Sequence, residues 1–126
     1  MRARLADGRW HFQHGPIDLV IGVEGEPAAV AAALESAWAR FAGVLDELVG
    51  ELALLRAPCA PAACSATPRG PVARRMAQAC RPYAERFGLF VTPMAAVAGS
   101  VAQEIAAHFE RPGIRRAWVN NGGDIR

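Results

Sequence analysis

Seven large apolar side chains, Val30, Leu34, Trp38, Phe41, Leu45, Leu48 and Leu52, follow one another at steps of three and four residues. That spacing puts all of them on one side of an α-helix. The stripe covers roughly six turns at 3.6 residues each. The helix is read as running from Pro27 to Val49. Pro27 suits its first turn, Glu24 and Glu26 complement its dipole, and Gly50 ends or bends it. Its apolar side is expected to lie on one face of a sheet through Leu34, Trp38, Phe41, Leu45 and Leu48.

The sheet begins upstream of that helix. Trp10 to His14 alternates large apolar and polar residues, Gly15-Pro16 breaks the chain, and Ile17 to Val23 is rich in β-branched residues. Two such runs around a Gly-Pro break predict an antiparallel hairpin. Leu19 to Ile21 is apolar on both faces, which marks the second strand as the interior one.

A chain of 126 residues allows one domain, 1–126. Its 27 alanines favour helix over strand. A net charge of +2 is too balanced for an electrostatic nucleic-acid binder. No apolar run approaches the ~20 residues of a membrane span, and Met1 to Trp10 has no apolar signal-peptide segment. The expectation is therefore no nucleic acid, no membrane and a cytoplasmic location. All 14 basic residues are arginine, so no Schiff-base or P-loop lysine exists in the sequence. The three cysteines, an odd number, argue for a reducing compartment. Cys59 and Cys64 loosely permit metal ligation, but no His or further Cys nearby completes a tetrahedral set. They are read as free thiols in a loop, and Cys80 as core.

Ala57 to Gly70 is a proline-rich loop. A second helix starts at Pro71, with Val72, Met76, Cys80 and Tyr83 facing inward, Pro82 kinking or shortening it, and Gly88 as its stop. Leu89 to Val91 is a short extended run. Thr92 caps a helix that runs from Pro93 to Phe109, with Val97, Val101 and Ile105 on one face. Arg115 to Val119 is a strand leading into a turn over Asn120–Asp124. A strand and a glycine turn lead into a partner strand, and none is evident before Arg126. The chain is therefore expected to be a truncated or short form.

Two segments carry possible chemistry: TPMAAVAGS (92–100) and VNNGGDI (119–125). A Gly-Gly pair after a strand lets main-chain N–H groups converge on an anion such as a phosphate. A small-residue helix start offers further donors and a positive dipole end. Asp124 beside them can hold a divalent cation. Each segment also has an ordinary reading, as a hairpin turn and as close helix packing. Elsewhere, His11 and His14 form a possible ligand pair but are more simply edge-strand residues. His108 suits a helix C-terminus. Glu104 and Glu110 read as a solvated helix face, and Arg74-Arg75 as surface. No Ser-His-Asp arrangement is apparent and no catalytic residue is assigned.

PMAAVAGSVAQEIA followed by a strand and NNGGDI resembles the uncharacterised ApbE-like proteins, relatives of the FAD:protein FMN transferase ApbE. Thr92 and Asn120 depart from that pattern, standing where a glycine and an acidic residue are usual. The resemblance implies an α+β, T-fold-like domain, an antiparallel sheet backed by helices and incomplete at its end. It implies FAD or FMN and Mg2+ as cofactors, with Ala95, Ala96, Gly99, Gly122, Gly123 and Asp124 at the flavin site, and Asp124 and Ala95 at the metal. It implies FMN transfer to an acceptor protein, with a homo-oligomer as the other possible partner. The alternative expectation is a non-catalytic module that binds a nucleotide-like ligand or a partner chain. An unpaired sheet edge near Asp124–Arg126 favours that alternative.

Overall fold

The computed structural model describes residues 1–59 and 67–126. Contacts divide the chain into two compact units, Met1–Leu45 with Val101–Arg126, and Asp46–Ser100.

The first unit is built on a five-stranded antiparallel sheet: β1 (Arg2–Arg4), β2 (Trp10–His14), β3 (Ile17–Gly25), β4 (Ile114–Asn121) and β5 (Asp124–Ile125), in sequence order across the sheet. The expected hairpin is present, with Trp10 opposite Ile21 and His14 opposite Ile17. β3 is interior, between β2 and β4. Side chains alternate between the faces of a strand, so Phe12, Leu19, Ile21 and Val119 share one face, and all four are fully buried.

Helix α1 (Pro27–Gly50) covers that face. The Phe12 ring meets Trp38 edge-on at 5.1 Å and Phe41 at 5.6 Å. Ala33, Leu34, Ala37, Phe41 and Val44 are buried along the helix. By length and composition α1 is apolar enough to cross a membrane. The sequence expectation that no segment reaches that threshold is corrected here, because alanines fill the gaps between the large apolar residues.

Helix α4 (Val97–Ala106) enters this unit at Val101 and buries Val101, Ala102 and Ile105, followed by Phe109. Two polar contacts join it and the turn after it to α1. Arg40 pairs with Glu104 at 2.8 Å, and the Ser36 hydroxyl and His108 Nδ1 share a hydrogen bond of 2.7 Å. Glu104 is thus not the solvated residue expected, since its side chain is only 16% exposed. Burial pushes the His108 imidazole below its ordinary pKa, with Glu104 opposing that shift.

On the opposite sheet face, the Trp118 indole lies over Gly22, where a β-carbon would overlap the ring. The Arg116 guanidinium stacks on that indole, 5.1 Å from its centroid. His11 Nε2 is 2.7 Å from Asp18 Oδ1. The unbroken β2–β3 register puts His11 and His14 on opposite faces, so they do not form a ligand pair. Two strands lay outside the sequence reading. β1 is a polar edge strand whose first ladder bonds join Met1 and Gln13. β5 is the partner strand thought absent, two residues long.

The second unit gathers the end of α1, α2 (Leu52–Arg56), α3 (Pro71–Phe87) and a 3₁₀ turn, Pro93–Ala96. Leu55, Val72, Ala73, Met76, Ala77, Cys80 and Pro93 are buried in it. The Glu51 carboxylate accepts the Arg69 and Gly70 amides at 2.6 and 2.9 Å, just ahead of α3. Those two hydrogen bonds hold its pKa below the usual range. Pro82 does not shorten α3, which runs on to Phe87 and stops at Gly88 as expected. Tyr83, expected inward, is 54% exposed, and Phe87, Leu89 and Phe90 are exposed beside it in sequence. Past Pro82 the apolar stripe has outrun the core that Cys80 enters. Leu89–Val91, expected to be extended, has no regular secondary structure.

Two outcomes follow. Gly22→Ala drives a methyl into the indole and should cost about 1–3 kcal/mol, as overpacking does. Thermal denaturation reads the loss, and a red shift in tryptophan emission reads the displaced ring. His108 binds its proton more weakly folded than unfolded, so stability falls as pH drops through the unfolded value of 6.5 and levels off below the folded one. His108→Gln should remove that part of the pH dependence in urea titrations between pH 8 and 5. An unchanged slope would assign the dependence elsewhere.

Candidate functional site

The first segment singled out by sequence lies at the start of α4. Thr92 occupies the cap position but makes no side-chain capping bond, contrary to expectation. The turn's donors are used locally. The Ala95 amide bonds the Thr92 carbonyl at 3.1 Å, the Val97 amide bonds Met94, and the Ala96 amide reaches the Cys80 sulfur. The Cys80 thiol also contacts the Pro93 carbonyl at 3.9 Å. Ala95 is exposed, Ala96 half-buried and Gly99 buried. Ala95, Ala96 and Gly99 all belong to the second unit.

Gly122, Gly123 and Asp124 belong to the first unit. They form the hairpin between β4 and β5, with Asn121 opposite Asp124. Both central glycines have positive φ, 59° and 100°. Paired positive φ values mark the two-residue turn that matches strand twist. No heavy atom lies within 4 Å of a β-carbon built on either glycine, so backbone conformation rather than close approach calls for glycine here. The Gly123 amide donates to Asn120 Oδ1 at 2.9 Å. Asp124 accepts from Arg126 at 3.0 Å, and both side chains are nearly half exposed. Among the described residues no group of three or more His, Cys, Asp or Glu is placed to hold a metal ion.

Cys59 is half-buried, its amide bonded to the Val91 carbonyl at 2.7 Å, and Cys80 is buried. Burial raises both thiol pKa values, which disfavours thiolate chemistry. Cys64 lies outside the described residues. Arg74 donates to the Pro68 carbonyl and Arg75 to that of Ser100, so both guanidiniums are engaged within their own unit.

A further feature emerges at the outer edge of β4. Val119 and Arg126 exchange both main-chain hydrogen bonds, at 2.9 and 3.0 Å. In an antiparallel ladder the outward-pointing residues recur every second position. Ala117 therefore presents its N–H and C=O groups on the same side as Val119, and no described strand pairs with it there, while a bulge at Arg115 interrupts the alternation beyond it. Alongside this edge runs a cavity of about 240 Å³. Ala106, Phe109, Ile114 and Ala117 supply its apolar surface, and Arg115, Arg116 and Arg126 surround it, with Glu110 as the single carboxylate. The sequence reading named the strand and the glycine turn but not this groove. The signal available was the Ile-Arg-Arg-Ala-Trp run, which sets two arginines within one short strand.

A search of curated proteins found no match. A family model described as AbpE bacteria matches residues 2–126. That family is distinct from the flavin transferase family which PMAAVAGS and NNGGDI suggested, so the resemblance is corrected. The motifs behind it are short, and local structure accounts for both: a turn seated on Cys80, and a two-residue hairpin. The expectation of FAD or FMN with magnesium thereby loses the family on which it rested. The match spans nearly the whole sequence, and the chain belongs to the AbpE bacteria family.

Proposed function

We propose that this chain is a non-catalytic protein-interaction module that takes an extended segment of a partner as an added strand along β4. One observation carries the reading: the main-chain donor and acceptor of Ala117 on the outer edge, which pair with none of the described residues, lie beside an apolar groove. An exposed row of main-chain groups is a template for another strand. Main-chain hydrogen bonds then give affinity, while pockets for alternate side chains give selectivity. The groove next to Ala117 is such a pocket. A T-fold-like arrangement remains part of this reading, supported by the antiparallel sheet with α1 across one face.

Hydrogen exchange tests the proposal residue by residue. In the free protein the Ala117 amide should exchange rapidly, while the Arg116 and Trp118 amides, which face β3, should be protected. Peptides selected for binding from an extended-segment library should slow Ala117 and leave the other two unchanged. Ala117→Pro removes the outward donor, and edge strands tolerate proline there. The variant should keep the wild-type circular dichroism and melting profile and lose peptide binding. Selected peptides that bind Ala117→Pro undiminished would place the interaction elsewhere.

A further inference from the structure

We infer that the groove between α1 and the β1–β2 edge is a binding site for a small aryl carboxylate. The groove lies across the sheet from β4 and is independent of strand addition there. Arg2, Trp10, Phe12, Ala31, Leu34 and Glu35 line a cavity of about 220 Å³, and all six belong to the sheet-bearing unit. Phe12 and Leu34 are buried and Trp10 is half-buried, whereas the side chains of Arg2 and Glu35 are 36% and 67% exposed. The base is therefore aromatic and aliphatic, and charge is confined to the mouth. An apolar cavity of ~150 Å³ takes up benzene, so this space suits one ring with a short chain. Trp10 and Phe12 favour a ring over an alkyl chain, because edge-on and offset ring contacts add to the area buried.

The β1–β2 register sets the sign of the charge. Arg2 stands opposite Phe12, and Arg4 opposite Trp10. Directly opposed residues share a sheet face, so both arginines rise on the side that α1 covers. Glu35 is the one carboxylate lining the cavity. Arg4 has no ion-pair partner among the described residues. The mouth thus carries two arginines against one glutamate and draws an anion. Arg2 is also oriented to hold one. Its guanidinium carbon lies 5.5 Å from the centroid of the Trp38 ring, and stacking of this kind fixes the guanidinium plane while leaving its N–H edge to a carboxylate. Glu35 meets Nη1 at 2.8 Å, and the fork has five N–H donors in all. An exposed pair is weakly held. A ligand carboxylate can therefore take the other donors of Arg2, or displace Glu35 into the solvent it already faces, while the ring settles on Trp10 and Phe12. An amine in the same place meets two arginines, and a neutral amide forgoes the charge-assisted hydrogen bond.

Calorimetric titration of the full chain with 3-phenylpropionate tests the inference, with 3-phenylpropionamide, 3-phenylpropylamine and heptanoate as comparison probes. The phenyl carboxylate should bind about tenfold more tightly than its amide, as a hydrogen bond to a charged group implies, and the amine should not bind. Arg2→Gln should erase that margin. Glu35→Gln, which removes the competing carboxylate, should tighten binding about two- to fivefold. These opposite effects at two exposed positions cannot both come from misfolding, and circular dichroism of each variant should match the wild type. On binding, the indole N–H resonance of Trp10 should shift, while that of Trp118, on the other sheet face, should stay in place. Equal binding of acid and amide, or an Arg2→Gln variant with undiminished affinity, would overturn the carboxylate site. Heptanoate binding as tightly as 3-phenylpropionate would overturn the preference for a ring. No heat from 3-phenylpropionate, or a shift at Trp118 in place of Trp10, would overturn the groove as the site. None of these outcomes bears on peptide binding at β4, so the two readings stand or fall separately.

Discussion

The contact of Phe12 with Trp38 and Phe41 is the interaction on which the sheet-bearing unit depends. Phe12 is fully buried, and the three rings lie 5.1 to 5.8 Å apart in edge-on and tilted arrangements. Each such pair is worth about 0.5–1.5 kcal/mol beyond the area it buries. More important is what the cluster fixes. It sets α1 against β2, and the hairpin register then commits Leu19 and Ile21 to the same covered face. A slip of one residue would turn that whole set toward the other side.

Because α1 is fixed, α4 has a surface to meet, and the two helices are joined by polar contacts as well as apolar ones. The Arg40–Glu104 pair is mostly buried, so each partner's removal would strand the other's charge in a poorly solvated place. Ser36 and His108 lie one helical turn further along on the same seam. These contacts hold the end of α4, where Ala106 and Phe109 sit beside the β4 edge. The groove is thus a product of helix placement, although its charges come from the strand.

Much of this was legible in the sequence because the signals were periodic. The stripe from Val30 to Leu48, the alternation around Gly15-Pro16 and the Gly88 stop each correspond to an element of the structure. What escaped had no period to read. Arg2–Arg4 is too short and too polar to show alternation. β5 is defined by its pairing with Asn120 and Asn121, not by any property of Asp124 and Ile125. Tyr83 continued a helical stripe correctly on the wheel, yet a wheel does not say where the core ends. Glu104 looked like surface because its partner, Arg40, is remote in sequence. For the candidate site, the motifs located the right strand and turn. The seat beside them combines residues from α4's end, β4 and Arg126, and such a combination becomes visible only in three dimensions.

The β3–β4 pairing has a kinetic meaning. β1, β2 and β3 join through short connections, whereas β4 reaches β3 only after everything from Glu26 to Gly113 has been threaded between them. Loop-closure entropy for that ladder is the largest in the sheet, and non-local pairing of this kind slows folding. The hairpin with α1 upon it can assemble early from local contacts, and β4 closes the sheet last. Until it does, β3 is itself an edge, apolar on both faces around Val20. The interval before closure is when this chain is most open to pairing with the wrong strand.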